Sequence, residues 1–333
     1  MMNDSSNLIE YFPTDHPPGN HHRDKIRGAL FGAIVGDALG VPVEFKSREY
    51  LRQHPLTDMI GFGTHDQPLG TWSDDSSLML CTMESLLNGF NSEHMGSLFV
   101  RWLTEGHWTP EGRAFGVGRQ TRVAISNMMN GVAAGEAGGT DERSNGNGSL
   151  MRILPVALRY ADEPAAALLD LAHRASSITH RHPRSQIACG LYSLTASALL
   201  RGFKPVDAYD YAVKEAKHHY QSGSYAAELP HFERVLDGEL VQRDEDDIKS
   251  GGYVVHTLEA GMWSFLNAGS FEEAVLKAVN LGGDTDTTGI VTGGLAGLCH
   301  GFKSIPPKWI AALIKHEEID TLIEDFADCI CAD

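Results

Sequence analysis

Apolar residues recur at helical spacing along almost the whole chain. In the stretch after Asp24, IRGALFGAIVGDALG, Ile26, Leu30, Ile34 and Val41 share one face. Gly28, Gly32, Gly36 and Gly40 repeat on the same helix at a spacing of four. The segment LGGDTDTTGIVTGGLAGLCHG, Leu281 to Gly301, repeats that device with Gly289, Gly293, Gly297 and Gly301, around Ile290, Val291, Leu295 and Leu298. An interior glycine costs a helix roughly 0.5–1 kcal/mol against alanine. A row of four therefore marks a face where another backbone packs closely. The simplest inference is that the two grooved helices pack on each other and tie the N-terminal and C-terminal regions into one core.

Further helices are expected over Met95–Glu105, Thr121–Ala134, Leu150–Tyr160, Glu163–Thr179, Ser185–Arg201, Pro205–His219 and Tyr225–Leu240. Thr257–Asn267, Phe271–Asn280, Pro307–His316 and Ile319–Cys331 complete the set. Another, with Leu78, Met79, Met83, Leu86 and Leu87 as its apolar positions, follows Ser73–Ser76. No run of alternating strands is found, so the fold class is all-α and one compact domain over 24–333 is favoured. Residues 1–23 stand apart: they are polar, broken by Pro13, Pro17 and Pro18, and carry a small apolar knot at Leu8, Ile9, Tyr11 and Phe12. They read either as a solvated leader or as a partner-binding arm that orders on contact. His21 and His22 are assigned to solvent.

With 333 residues, 42% hydrophobic and 21% charged, the chain is long enough for one large core or two smaller ones. Its net charge of −17 disfavours non-specific binding to nucleic acid or anionic membrane, while leaving room for a cleft that takes a phosphorylated ligand. No segment reads as an uninterrupted spanning helix, and the start, MMNDSSNLIEYF, lacks a basic and then apolar signal pattern. A cytoplasmic protein is expected. Cys81, Cys189, Cys299, Cys329 and Cys331 are odd in number and lie mostly in apolar helical patterns, which argues for reduced, buried thiols.

Two loop-to-helix junctions carry more acid than a helix cap needs. One has Ser73, Asp74, Asp75 and Ser76; the other has Asp284, Asp286, Thr287 and Thr288. An N-cap uses a single side chain, whereas several oxygens at one spot suit a hard cation such as Mg²⁺. Capping and a metal site both account for either junction alone; together they suggest a paired-metal site. Asp37 falls on or beside the apolar face of the first helix, where a carboxylate has to be hydrogen-bonded, paired or metal-linked. Glu44 follows Pro42 in a loop, where solvent exposure is the plain expectation. The run Asn145-Gly146-Asn147-Gly148-Ser149 offers backbone N–H groups ahead of a helix and suits a phosphate or a ribose hydroxyl. His180 reads equally as a ligand contact or a cap, Arg152 as reaching solvent or a structural ion pair, and 243–247 as a solvated loop.

Three blocks in order, GALFGAIVGDALGVPVE, WSDDSSLML with NGNGSLMR, and VNLGGDTDTTGIVTGGLAG, resemble the ADP-ribosylglycohydrolase family, from about Ile26 to about Gly301. The resemblance implies an orthogonal all-α bundle with two Mg²⁺ or Mn²⁺ ions in a central cleft, cleaving the bond between ADP-ribose and a protein side chain. It also implies metal ligands at Ser73, Asp74, Asp75, Asp284, Asp286 and Thr287, a catalytic acid at Glu44 or Asp75, and an ADP-ribose site at Asn147, Gly148, Ser149 and His180. Asp37 matches a supporting acid. Ser73 stands where many members have threonine. The implied substrate is an ADP-ribosylated protein, with arginine as the expected linkage and serine-linked ADP-ribose or a free ADP-ribose derivative as the alternatives. The alternative is a neutralising partner of an ADP-ribosyltransferase toxin, with the N-terminal arm in that enzyme's cleft.

Overall fold

The computed structural model describes residues 18–331, so the apolar knot at Leu8–Phe12 lies outside the described residues. It begins with α1 (Pro18–Gly40), starting ahead of Asp24 because proline is well placed in a first turn, where its missing N–H has no partner to lose. Arg23 and Arg27 then pair with Glu324, Asp328 and Asp320 of the last helix. His22 is half-buried instead of solvated, and burial pulls its pKa down. By length and composition His21–Val43 could cross a bilayer, but 94% of its apolar window is buried inside the protein, which accounts for its character.

The chain continues through α2 (Arg48–Gln53), α3 (Asp74–Leu86), α4 (Ser92–Glu105), α5 (Arg119–Met129), α6 (Leu154–Arg159), α7 (Ala165–Ser177) and α8 (Pro183–Leu200). Then follow α9 (Pro205–His219), α10 (Gly223–Glu228), α11 (Glu233–Leu236), α12 (Val254–Leu266), α13 (Phe271–Asn280), α14 (Thr285–His300), α15 (Pro307–Ala312) and α16 (His316–Cys331). Among the described residues there is no strand, only three isolated bridges. The helix expected over 225–240 is broken: Leu229–Phe232 is a 3-10 turn between α10 and α11, where Pro230 removes a backbone donor. The helix expected over 121–134 ends at Met129, before Gly131 turns left-handed at φ 88°.

The two grooved helices, α1 and α14, form the most extensive helix pair and the centre of the core, with α8, α12 and α13 packed around α14. A Cβ on Gly36 would lie 2.1 Å from the Gly289 carbonyl oxygen, and one on Gly297 would lie 1.9 Å from that of Gly28. Only glycine permits that approach. Cys81 and Cys189 are buried as expected, while Cys331 is exposed, and all five cysteines are free. Arg152 neither reaches solvent nor forms an ion pair. It is fully buried over the Phe99 ring, 4.6 Å from its centroid, and donates to the Ala175 carbonyl at 3.0 Å and the Thr179 hydroxyl at 2.9 Å. Both bonds come from Nη2; Nε and Nη1 are buried without a hydrogen-bond partner, and the aromatic face offsets part of the cost of burying the charge.

Candidate active site

The N-termini of α3 and α14 converge on one cleft. At α3 the cap is made by residues beneath the cleft. The Ser73 hydroxyl accepts from the Asp75 N–H at 3.2 Å. The Asp37 carboxylate, from α1, accepts from the N–H groups of Ser73 at 3.0 and 3.1 Å and of Ser76 at 3.0 Å, and from the Ser76 hydroxyl at 2.5 Å. With the cap supplied from below, Asp74 and Asp75 face the cleft. At α14, Asp284 occupies the cap position but makes no side-chain cap bond. Its carboxylate instead accepts from the Asn147 amide at 2.9 Å, and the same amide bonds the Thr257 hydroxyl at 2.9 Å. Capping is therefore not what Asp284 does.

Two consecutive left-handed glycines, Gly282 and Gly283 at φ 75° and 76°, reverse the chain just before Asp284. The turn is laced to its neighbours: Gly283 N–H donates to Lys46 O, Phe45 N–H to Gly283 O, and Asp284 N–H to Ser250 O, at 2.8, 2.7 and 2.8 Å. The same lacing brings in the Glu44 corner. Glu44 is not solvent-exposed; it lies at 9% relative exposure on the cleft wall, because the chain between 60 and 67 folds over it. Its carboxylate pairs with His65, and its carbonyl accepts from the Thr64 hydroxyl at 2.7 Å. That bond to Glu44 raises the His65 pKa.

The cleft encloses about 350 Å³. Five carboxylates, Glu44, Asp74, Asp75, Asp284 and Asp286, line one end together with Thr287. Oxygens of Glu44, Asp284 and Asp286 lie within 4.8 Å of one another. Burial first, and then the neighbouring acids, push Asp74, Asp75 and Asp286 well above the usual carboxylate range. Burial also raises Asp37, to about 6, against the hydrogen bonds that favour its charged form. Asp75 Oδ2 is buried with no hydrogen-bond partner. A buried carboxylate oxygen without a donor, among acids that repel one another, matches the hard-oxygen donor set of a divalent cation. A second acidic group, Glu142, His182 and Glu228, does not: Arg184 sits in it, 2.7 Å from Glu142 and 2.6 Å from Glu228.

The rest of the lining carries no carboxylate. Gly146, Asn147, Gly148 and His180 belong to it, with Gly116 and residues 118–121 of a neighbouring loop. The 145–147 run is held by α12, through Asn147 N–H to Gly252 O at 3.2 Å and Val254 N–H to Asn145 O at 3.0 Å. His180 is 2% exposed, and burial with the nearby Arg152 charge lowers its pKa to about 3, so its imidazole is neutral. Its Nδ1 bonds the Thr179 hydroxyl at 2.9 Å, which the buried Arg152 also holds. The cap of α8 is His182, whose ring nitrogen accepts from the Arg184 N–H at 3.2 Å. Of the expected site residues, two do not line the cleft. Ser73 lies beneath it, and Ser149 is buried against Ser176 and Cys189.

Several lining residues escape sequence reasoning. Arg119 and Arg143, both exposed, bring positive charge to the carboxylate-free part of the cleft. Gly116 approaches Asp74 so closely that a Cβ would lie 2.5 Å from its Oδ1. The FGVGRQ run at 115–120 was the available signal, since a glycine pair before an arginine suits close approach to a ligand.

The sequence profile of the ADP-ribosylglycohydrolase family matches residues 18–332. The chain is 31% identical over 312 residues to ADP-ribosylarginine hydrolase Tri1 of Serratia proteamaculans (strain 568), covering 92% of this chain and 80% of that protein. It is 30% identical over 297 residues to ADP-ribosyl-[dinitrogen reductase] glycohydrolase of Rhodospirillum rubrum, covering 87% and 90%. A solved structure described as an ADP-ribosylglycohydrolase-related protein complex superimposes with a TM-score of 0.77 at 33% identity, covering 93% of this chain and 99% of that one. Acid-lined cleft, glycine-grooved helix pair and full-length similarity agree: the chain belongs to the ADP-ribosylglycohydrolase family.

Proposed function

We propose that this protein hydrolyses the N-glycosidic bond between ADP-ribose and an arginine side chain of a modified protein, in a reaction that depends on divalent cations, Mg²⁺ or Mn²⁺. The observation that carries the reading is the Asp75 oxygen, buried without a donor beside Asp74 and Asp286, with all three carboxyl groups held above the usual range first by burial and then by neighbouring acids. Asp74, Asp75, Asp284, Asp286 and Thr287 would hold two cations, with Ser73 as a further oxygen donor below them. The bound cations would supply charge neutralisation, a binding point for the ribose diol and a more acidic water.

The chain's own residues divide the remaining work. Carboxylates at the reacting end oppose the positive charge that develops on the ribose as the bond breaks. Glu44 or Asp75 accepts the proton of the attacking water. Asn147 fixes the Asp284 carboxylate by its amide bond. In the rest of the cleft the Gly146 and Gly148 N–H groups, the neutral His180 ring, Arg119 and Arg143 would bind the diphosphate and the remainder of the ADP-ribose. Arginine is the preferred linkage because the Serratia proteamaculans relative is named for ADP-ribosylarginine hydrolysis.

Asp284→Ala and Asp286→Ala test the assignment. Each is expected to lower release of ADP-ribose by roughly 10³-fold or more, with the helical circular-dichroism spectrum unchanged. Full activity in both variants contradicts it.

A further inference from the structure

Most large apolar side chains in this protein are buried, and the exceptions are not scattered. Among the described residues nine are exposed, and five of them, Phe45, Tyr50, Ile60, Phe62 and Leu69, fall between residues 45 and 69. Phe45 is 70% and Phe62 is 62% exposed. Both hold left-handed backbone, at φ 65° and 64°, a region that bulky residues rarely adopt and that costs on the order of 1 kcal/mol or more. A polar residue or glycine would sit there with less strain.

Neither ring is exposed through looseness. Phe62 N–H donates to Gln67 O at 2.5 Å, and the Gln67 amide returns to His65 O at 3.0 Å. Thr64 and His65 fasten this strap to Glu44, and Phe45 N–H is fixed to Gly283 O. The strap is continuous with the cleft: Phe45 lines it, and the His65 ring lies 6.1 Å from Phe45 and 5.7 Å from Phe115.

The position of this rim relative to the chemistry names its occupant. The bond to be broken joins the distal ribose to the protein side chain, so the acidic end of the cleft receives that bond. The departing side chain and its polypeptide then lie outside, beside Glu44 and Phe45. We infer that the strap 60–69, with Phe62 and Leu69 as its contact residues, is a docking rim for the polypeptide that carries the ADP-ribosyl group, engaging apolar residues next to the modified side chain. This rests on the proposed reaction. It makes the rim a determinant of protein over small-molecule substrates, because free ADP-ribosyl-arginine has nothing to place on it.

The test compares wild type with Phe62→Asn combined with Leu69→Ser, on an ADP-ribosyl-arginine protein and on ADP-ribosyl-arginine itself. Neither side chain lines the cleft. The expected result is a roughly tenfold loss of kcat/KM on the protein, carried by KM, with the small conjugate unchanged within about twofold. Both replaced side chains are exposed, so Tm is expected to stay close to the wild-type value. Met129→Ser, at an exposed apolar residue at the far end of α5, is the control and changes neither substrate. Equal losses on both substrates, or no loss on the protein, overturn the inference. Wild-type protein that releases ADP-ribose from neither substrate identifies a failure of the reaction itself and removes the rim with it.

Discussion

The two ends of the cleft are built on opposite terms. At the acidic end, charged side chains are held by bonds from beneath, through Asp37, Ser73 and the Gly282–Gly283 turn, and left facing one another with an oxygen unsatisfied. In the rest of the cleft there is no carboxylate: the neutral His180 ring rests on Thr179, which Arg152 also holds, the 145–147 backbone is bonded to Gly252 and Val254, and Arg119 and Arg143 add positive charge. The first end is electrostatically unfinished and needs a positive partner; the second offers hydrogen bonds and positive charge. Reaction chemistry belongs with the first and recognition with the second. Asn147 joins them, since it belongs to the glycine run and its amide holds Asp284.

That division predicts unequal responses. After the loss expected for the two α14 aspartates, the next largest effect is at the joint. Asn147→Ala is expected to lower activity about 10–100-fold by freeing the Asp284 carboxylate, and also to weaken cation binding measured by calorimetry. A change confined to substrate affinity would place Asn147 wholly at the recognition end. His180→Ala should cost about tenfold, expressed in KM, because a neutral ring gives one hydrogen bond and no charge. A fall in kcat alone would move His180 into the chemistry.

Stability against pH separates the ends again. Asp37, Asp74, Asp75 and Asp286 have folded pKa values raised above their unfolded values, so the folded state binds more protons. Their contribution is therefore most favourable at low pH and is lost as pH rises, beginning near pH 4 and extending through about 6 for Asp37. Thermal melts should show Mg²⁺ raising Tm more at pH 7 than at pH 5, and Asp286→Asn should raise the Tm of the cation-free protein. A cation effect independent of pH would contradict the unfinished character of this end. The smallest effect is expected outside the described residues: deletion of 1–17 should leave hydrolysis of ADP-ribosyl-arginine unchanged, as steady-state rates would show.

Legibility in the sequence follows how local each requirement is. The α1–α14 pair was readable because a four-residue glycine spacing has few other uses, and Gly297→Ala is expected to cost about 2–3 kcal/mol through overpacking. The acids were readable as a surplus over what caps need. Which residues do the capping was not, because Asp37 reaches α3 from a helix 36 residues earlier in the chain. Glu44 looked like a loop residue because its cover, His65 and Thr64, comes from a separate strap. Arg152 defied its type because its burial rests on a ring and two acceptors from other elements, which no local pattern announces. Arg119 and Arg143 are ordinary exposed arginines until the fold brings them to one cleft.

The central claim is that the acidic end works only with a divalent cation on an ADP-ribosyl-protein bond. Release of ADP-ribose from an ADP-ribosyl-arginine protein, measured side by side with Mg²⁺ and with a chelator, tests it most directly. Release with Mg²⁺ that stops with chelator and returns on adding the ion back is the expected result. Equal release in both arms, or none with Mg²⁺ bound, would contradict it.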